Sequence, residues 1–111
     1  MSITVYEKPA CTTCRKLRDL LAENGIDFDS VNYIVDGLEE SEIRELLGKT
    51  GISAADALRM REGGARELKD SPEDEIIAAM VENPALLQRP VVVNGDRAVL
   101  ARPIERALEI I

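Results

Sequence analysis

Along residues 3–7, ITVYE, branched and aromatic side chains alternate with the rest, which is the period of a half-buried strand. The period then changes to a helical one. Leu17, Leu20 and Leu21 stand at helical spacing within 14–24, and Gly25 supplies the stop. FDSVNYI (28–34) returns to a strand pattern, and Asp36-Gly37 turns the chain. A short crossover helix between two such strands makes them parallel. Leu38, Ile43, Leu46 and Leu47 predict a second helix ending at Gly48 or Gly51, and Ser53 can cap a short one through Arg59. In DSPEDEIIAAMVEN (70–83), Ser71 reads as N-cap and Pro72 as the first helical residue. The acids that follow sit where the helix dipole favours them, and Ile76, Ile77, Met80 and Val81 form the apolar face. RPVVVNGDRAVLARP (89–103) predicts a hairpin around Asn94-Gly95. Ile104, Ala107, Leu108 and Ile111 predict a terminal amphipathic helix.

The order βαβ, helices, ββα describes an α/β protein with a thioredoxin/glutaredoxin-like sheet and a helical insertion at about 38–86. A chain of 111 residues, 45% hydrophobic and without repeats or linkers, suits one domain with one core. Charge then narrows the partners. With 21 acidic against 14 basic residues and only Tyr6, Phe28 and Tyr33 as aromatics, the chain lacks the footprint of a nucleic-acid or anionic-membrane binder. The absence of histidine removes Cys/His nucleophile pairs and most zinc sites, and two cysteines cannot close a tetrahedral zinc site alone, so no metal is expected. No apolar run approaches the roughly 18 residues of a membrane span, and the N-terminus has no apolar signal region. A cytoplasmic monomer is the expectation. In that compartment a close thiol pair is more often catalytic or metal-binding than a structural disulfide.

That pair lies in PACTTCRK (9–16), between the first strand and the first helix. It could be a redox pair, half of a metal site, or two unrelated buried thiols. Spacing favours redox chemistry: Cys11 falls just before the helix and Cys14 one turn in, on the same face and close enough to bridge. Free amides and the dipole at the helix start favour a thiolate at Cys11, below the ~8.5 of a free thiol. Cys11 is then the nucleophile and Cys14 the resolving thiol, with Lys8, Arg15 and Arg18 adding positive charge nearby.

PACTTCRK, GISAADALR (51–59), ENPALLQRPVVV (82–93) and the terminal ARPIERALEII together resemble the ArsC family, which includes glutaredoxin-linked arsenate reductases and Spx-type transcription regulators. In the arsenate reductases a cysteine of the Pro-Ala-Cys motif attacks the oxyanion and three arginines hold it. The resemblance places those roles on Cys11 and on Arg59, Arg89 and Arg102, with Arg61 of LRMR competing for the first arginine. Guanidinium suits the task, since it stays charged and donates in a planar fork. The resemblance also implies that Pro90 follows a cis bond, as the structural cis-proline of the fold. Two departures stand out: Cys14 occupies a position where the reductases usually have serine or another residue and Spx-type proteins have cysteine, and Glu7-Lys8 replaces the reductases' His-Asn. Three activities follow: reduction of arsenate or another small oxyanion; thiol-disulfide exchange with glutathione-linked or protein disulfides; and an Spx-like redox switch on RNA polymerase. The first needs no bound cofactor, only glutathione or another thiol as reductant and glutaredoxin, mycoredoxin or thioredoxin as partner.

Overall fold

The computed structural model describes residues 2–111. Four strands, β1 (Ile3–Glu7), β2 (Asp29–Asn32), β3 (Val91–Asn94) and β4 (Arg97–Leu100), form one mixed sheet in the order β2-β1-β3-β4. β1 and β2 run parallel, joined by helix α1 (Thr12–Glu23), while β3 runs antiparallel to both β1 and β4. Between β2 and β3 lie α2 (Tyr33–Asp36), α3 (Glu40–Thr50), α4 (Ala65–Leu68), α5 (Glu73–Glu82) and a 3₁₀ turn at Pro84–Leu86. This is the expected βαβ–insertion–ββα order of a thioredoxin-like sheet.

Strand alternation divides the core into two layers. Ile3 and Val5 of β1, Val92 and Val99 pack against Leu17 and Leu21 of α1 and against Ala107 and Ile110 at the C-terminus. On the opposite face, Tyr6, Val91, Val93 and Ala98 pack with Ile43, Leu46, Leu47, Ile76, Ile77 and Met80 of the insertion. α3 is closed at its start by reciprocal bonds between Glu39 and Glu42 and at its end by Gly51, whose φ of +75° suits glycine.

The structure corrects several sequence expectations. β2 stops at Asn32, because Tyr33 turns inward at the start of α2 and buries its ring in the insertion core. Residues 53–59 make one turn rather than a helix. Ser53 Oγ accepts from the Asp56 amide at 3.1 Å, but the chain then pairs with 86–88: the Arg59 amide donates to Leu86 O (2.7 Å) and the Gln88 amide to Ala57 O (2.8 Å). Backbone pairing outcompetes the short helix. Pro72, not Ser71, caps α5, and Val81, at the edge of its apolar face, is 38% exposed. In the hairpin Asn94 pairs with Arg97, so the tight turn is Gly95-Asp96, with positive φ at Gly95. The last segment, Ile104–Ile110, is 3₁₀. Three residues per turn bring Ile104, Ala107 and Ile110 inward and leave Leu108 and Ile111 exposed.

Candidate active site

The loop that leaves β1 is closed by a bond from the Cys11 amide to Lys8 O at 2.9 Å, which sets Cys11 as the residue before α1. No acid stands in the first turn of α1, so nothing there opposes an anion. Cys11 is half-buried. Burial pushes its thiol up, yet the Cys14 backbone amide, the Cys14 thiol, the Thr13 amide and the Arg102 charge outweigh it, and the net shift is down. Cys14, one turn on, is wholly buried. Burial pushes it up to about 12; the Lys8 amide opposes this, while Cys11 and the Glu7 charge add to it. Both cysteines are free thiols.

The arginines converge from three segments. Arg89 lies two residues before β3 and is 3% exposed; its Nη1 donates to Ala85 O (3.2 Å) and to the Tyr33 hydroxyl (3.5 Å). Burial would lower its proton affinity, but Tyr33 and Cys11 raise it above its ordinary value. Arg102, after β4, donates from Nε to Arg89 O at 2.7 Å, and its charge acts on Cys11. Arg59 donates to Gln88 Oε1 at 3.0 Å, the oxygen that also accepts from the Arg89 amide at 3.2 Å. Arg61 is exposed and lines a separate cleft with Glu62 and Glu67, so Arg59 is the LRMR arginine that joins the cluster. Pro90 is fully buried, and the Arg89–Pro90 and Arg102–Pro103 bonds are both cis.

Three side chains of this neighbourhood carried no sequence signal as site residues. Tyr33 donates its hydroxyl proton to Leu87 O and accepts from Arg89, and burial pushes it up to about 12 against the pull of Arg89. Gln88 links two of the arginines. Glu7 is 0% exposed. Its Oε2 accepts from Ser30 Oγ at 2.6 Å, and its Oε1 stands 3.0 Å from Arg18 Nε. This corrects the expectation that Arg18 adds free positive charge near the thiols: its guanidinium is held by Glu7 and by Pro9 O (3.3 Å). The cations that act on Cys11 are Arg102 and Arg89. Among the described residues, no three His, Cys, Asp or Glu side chains are grouped to hold a metal ion, and no helix is long and apolar enough to cross a membrane.

Both the sequence and the fold have known relatives. A model of the ArsC family matches residues 6–110. The chain is 37% identical to the uncharacterized protein YfgD of Escherichia coli, over 98% of this chain and 96% of that one. It is 32% identical to an arsenate reductase of Neisseria meningitidis, over 93% and 92% of the two chains. Among solved structures, an arsenate reductase from Vibrio cholerae superposes with a TM-score of 0.92 at 31% identity, covering 100% of this chain and 98% of the other.

Proposed function

The chain belongs to the ArsC family, and from that premise we propose that it reduces arsenate to arsenite, with Cys11 as nucleophile. The observation that carries this reading is the half-buried Cys11, favoured as thiolate and faced by the buried Arg89 and by Arg102. An anionic nucleophile repels an anionic substrate, so attack requires fixed cations that neutralise the oxyanion beside the sulfur. Arg89 and Arg102 supply them, and Arg59 extends the cluster through Gln88.

In the first step the Cys11 thiolate attacks arsenic and an arsenate oxygen leaves as water, giving a thioester of arsenate. A second thiolate then attacks the Cys11 sulfur. A disulfide forms, the S–As bond breaks, and its electron pair leaves with arsenic as arsenite. The side-chain bond between Cys14 and Cys11 supports Cys14 in that second role; glutathione is the external alternative. The Cys11–Cys14 disulfide is returned to dithiol by glutaredoxin, mycoredoxin or thioredoxin. Thiol-disulfide exchange without arsenate is the second reading, favoured by the placement of Cys14.

Arsenate reduction assayed with each of these donors tests the proposal. Arg102→Ala is expected to lower kcat/KM for arsenate about 10-fold to 100-fold, the equivalent of roughly 1.5 to 3 kcal/mol of charge-assisted bonding. Lysine restores part of this, since it keeps the charge and loses the fork. Reaction of Cys11 with a neutral disulfide stays within a few-fold. No arsenate reduction with any donor would overturn the assignment in favour of disulfide exchange.

A further inference from the structure

A wholly buried carboxylate is costly unless it is paired, and Glu7 is the one acidic side chain buried in this way among the described residues. The chemistry above does not use it. Alternation along β1 puts Glu7 on the same face as Ile3 and Val5, the face covered by Leu17 and Leu21 of α1. On α1, Cys14 and Arg18 are one turn apart on the side that meets this face, and Arg18 Nε stands 3.0 Å from Glu7 Oε1. The carboxylate therefore lies under the face of the helix that carries the buried thiol. Two further facts join them: the backbone amide of Lys8, the next residue after Glu7, faces the Cys14 sulfur, and the Glu7 charge is felt at Cys14.

Resolution needs Cys14 as a nucleophile, yet its thiol is held protonated by burial and has little access to solvent bases. We propose that Glu7 is the proton acceptor for Cys14 when Cys14 attacks a Cys11 adduct. The inference rests on the reading of Cys14 as resolving thiol. For a mixed disulfide at Cys11, the Cys14 proton passes to the Glu7 carboxylate as the Cys14–Cys11 bond forms. The outer S–S bond breaks, and its electron pair leaves with the departing thiolate. Ser30 and the partly exposed Arg18 hold the carboxylate in place and border its route back to water. Arg18 also bonds Pro9 O, so the same pair braces the loop that carries Cys11.

The pH dependence of closure discriminates. Between pH 6 and 9 the groups facing Cys14 and Glu7 are Cys11, the Tyr33 hydroxyl, Arg18 and Ser30. Tyr33, pushed up to about 12, keeps its proton over that range. Cys11 is covalently blocked in the adduct. If Cys14 had to ionise to water first, closure would accelerate about 10-fold per pH unit; with an internal group taking its proton as the bond forms, it is level.

Reaction of the reduced protein with dithiobis(nitrobenzoate) reads this directly. The first release of coloured thiolate depends on reagent concentration and marks attack by Cys11. The second is independent of it, marks closure by Cys14, and vanishes in Cys14→Ser. The expected result is a closure rate level within about 3-fold over pH 6–9 in the unmodified protein. In Glu7→Gln it becomes at least about 10-fold slower at pH 7 and rises with pH, with partial recovery in Glu7→Asp. The first phase changes by no more than a few-fold. A rise of about 10-fold per pH unit in the unmodified protein overturns the role of Glu7 whether or not Glu7→Gln folds, and so does a level profile that Glu7→Gln leaves unchanged. Absence of the second phase in the unmodified protein overturns the resolving role of Cys14 and this inference with it.

Discussion

Cys11 and Cys14 are three residues apart at the start of one helix, yet their surroundings drive them in opposite directions. Cys11 sits before the helix, where amides of the first turn and two arginines favour the anion. Cys14 has turned inward, where burial disfavours it. The measurable consequence is a split in alkylation. In Cys14→Ser, the pH midpoint for modification of Cys11 should lie below the ~8.5 of a free thiol. In Cys11→Ser, Cys14 should remain unreactive through pH 9. Equal rates for the two single-cysteine proteins would refute the split. The position of Cys11 at a helix start was legible from sequence, because a strand pattern and a helical stripe bracket it. The depth of Cys14 and the burial of Glu7 were not. Glu7 stood out only as part of a departure from the family pattern, and its burial under α1 depends on how the helix packs on β1.

At the scale of elements, the long-period signals survived folding and the short ones were decided by their neighbours. The stripes of α1 and α3, the alternation of β1 and the β3–β4 hairpin were all readable, since each has its own period and its own stop. The stretch at 53–59 has a good cap in Ser53, but pairing with 86–88 claims its backbone, a contact between segments that no local pattern reveals. The C-terminal segment shows the same limit: Ile104, Ala107, Leu108 and Ile111 fit a helical face, whereas the observed 3₁₀ geometry selects Ile104, Ala107 and Ile110. Unfolding in denaturant separates the two registers. Ile110→Ala should cost about 2 to 3 kcal/mol, as removal of a buried aliphatic side chain does. Leu108→Ala, at a position 40% exposed, should change stability by about 0.5 kcal/mol or less. An α-helical register would make Leu108 the costly one.

On the scale of the whole molecule, the site lies where the two layers of the core meet: the start of α1 brings the thiols from one face of the sheet, and Tyr33, Arg59 and Gln88 come from the chain between β2 and β3 on the other. Two acidic groups in that seam, Cys14 and Tyr33, are both pushed up to about 12 by burial. In the unfolded chain they lose their protons near ~8.5 and ~10. Above those values the unfolded state binds fewer protons than the fold, so unfolding becomes easier as pH rises. The stability they contribute is complete below pH ~8.5 and is lost progressively toward pH 12. Cys11 has the opposite sign. Its lowered pKa makes the fold release a proton before the unfolded chain does, so stability rises through the interval just below pH ~8.5. Thermal or urea unfolding of the reduced protein from pH 7 to 11 should therefore show a shallow maximum near pH 8 to 9 and then a decline. Tyr33→Phe, which keeps the ring and removes the titrating hydroxyl, should make the decline shallower above pH ~10, and Cys14→Ala should do so between ~8.5 and ~10. Both variants start from lower absolute stability, because one leaves Leu87 O without its Tyr33 donor and the other leaves a small void. The slopes carry the test: curves parallel to the unmodified protein throughout would mean that neither buried acid sets the alkaline limit of the fold.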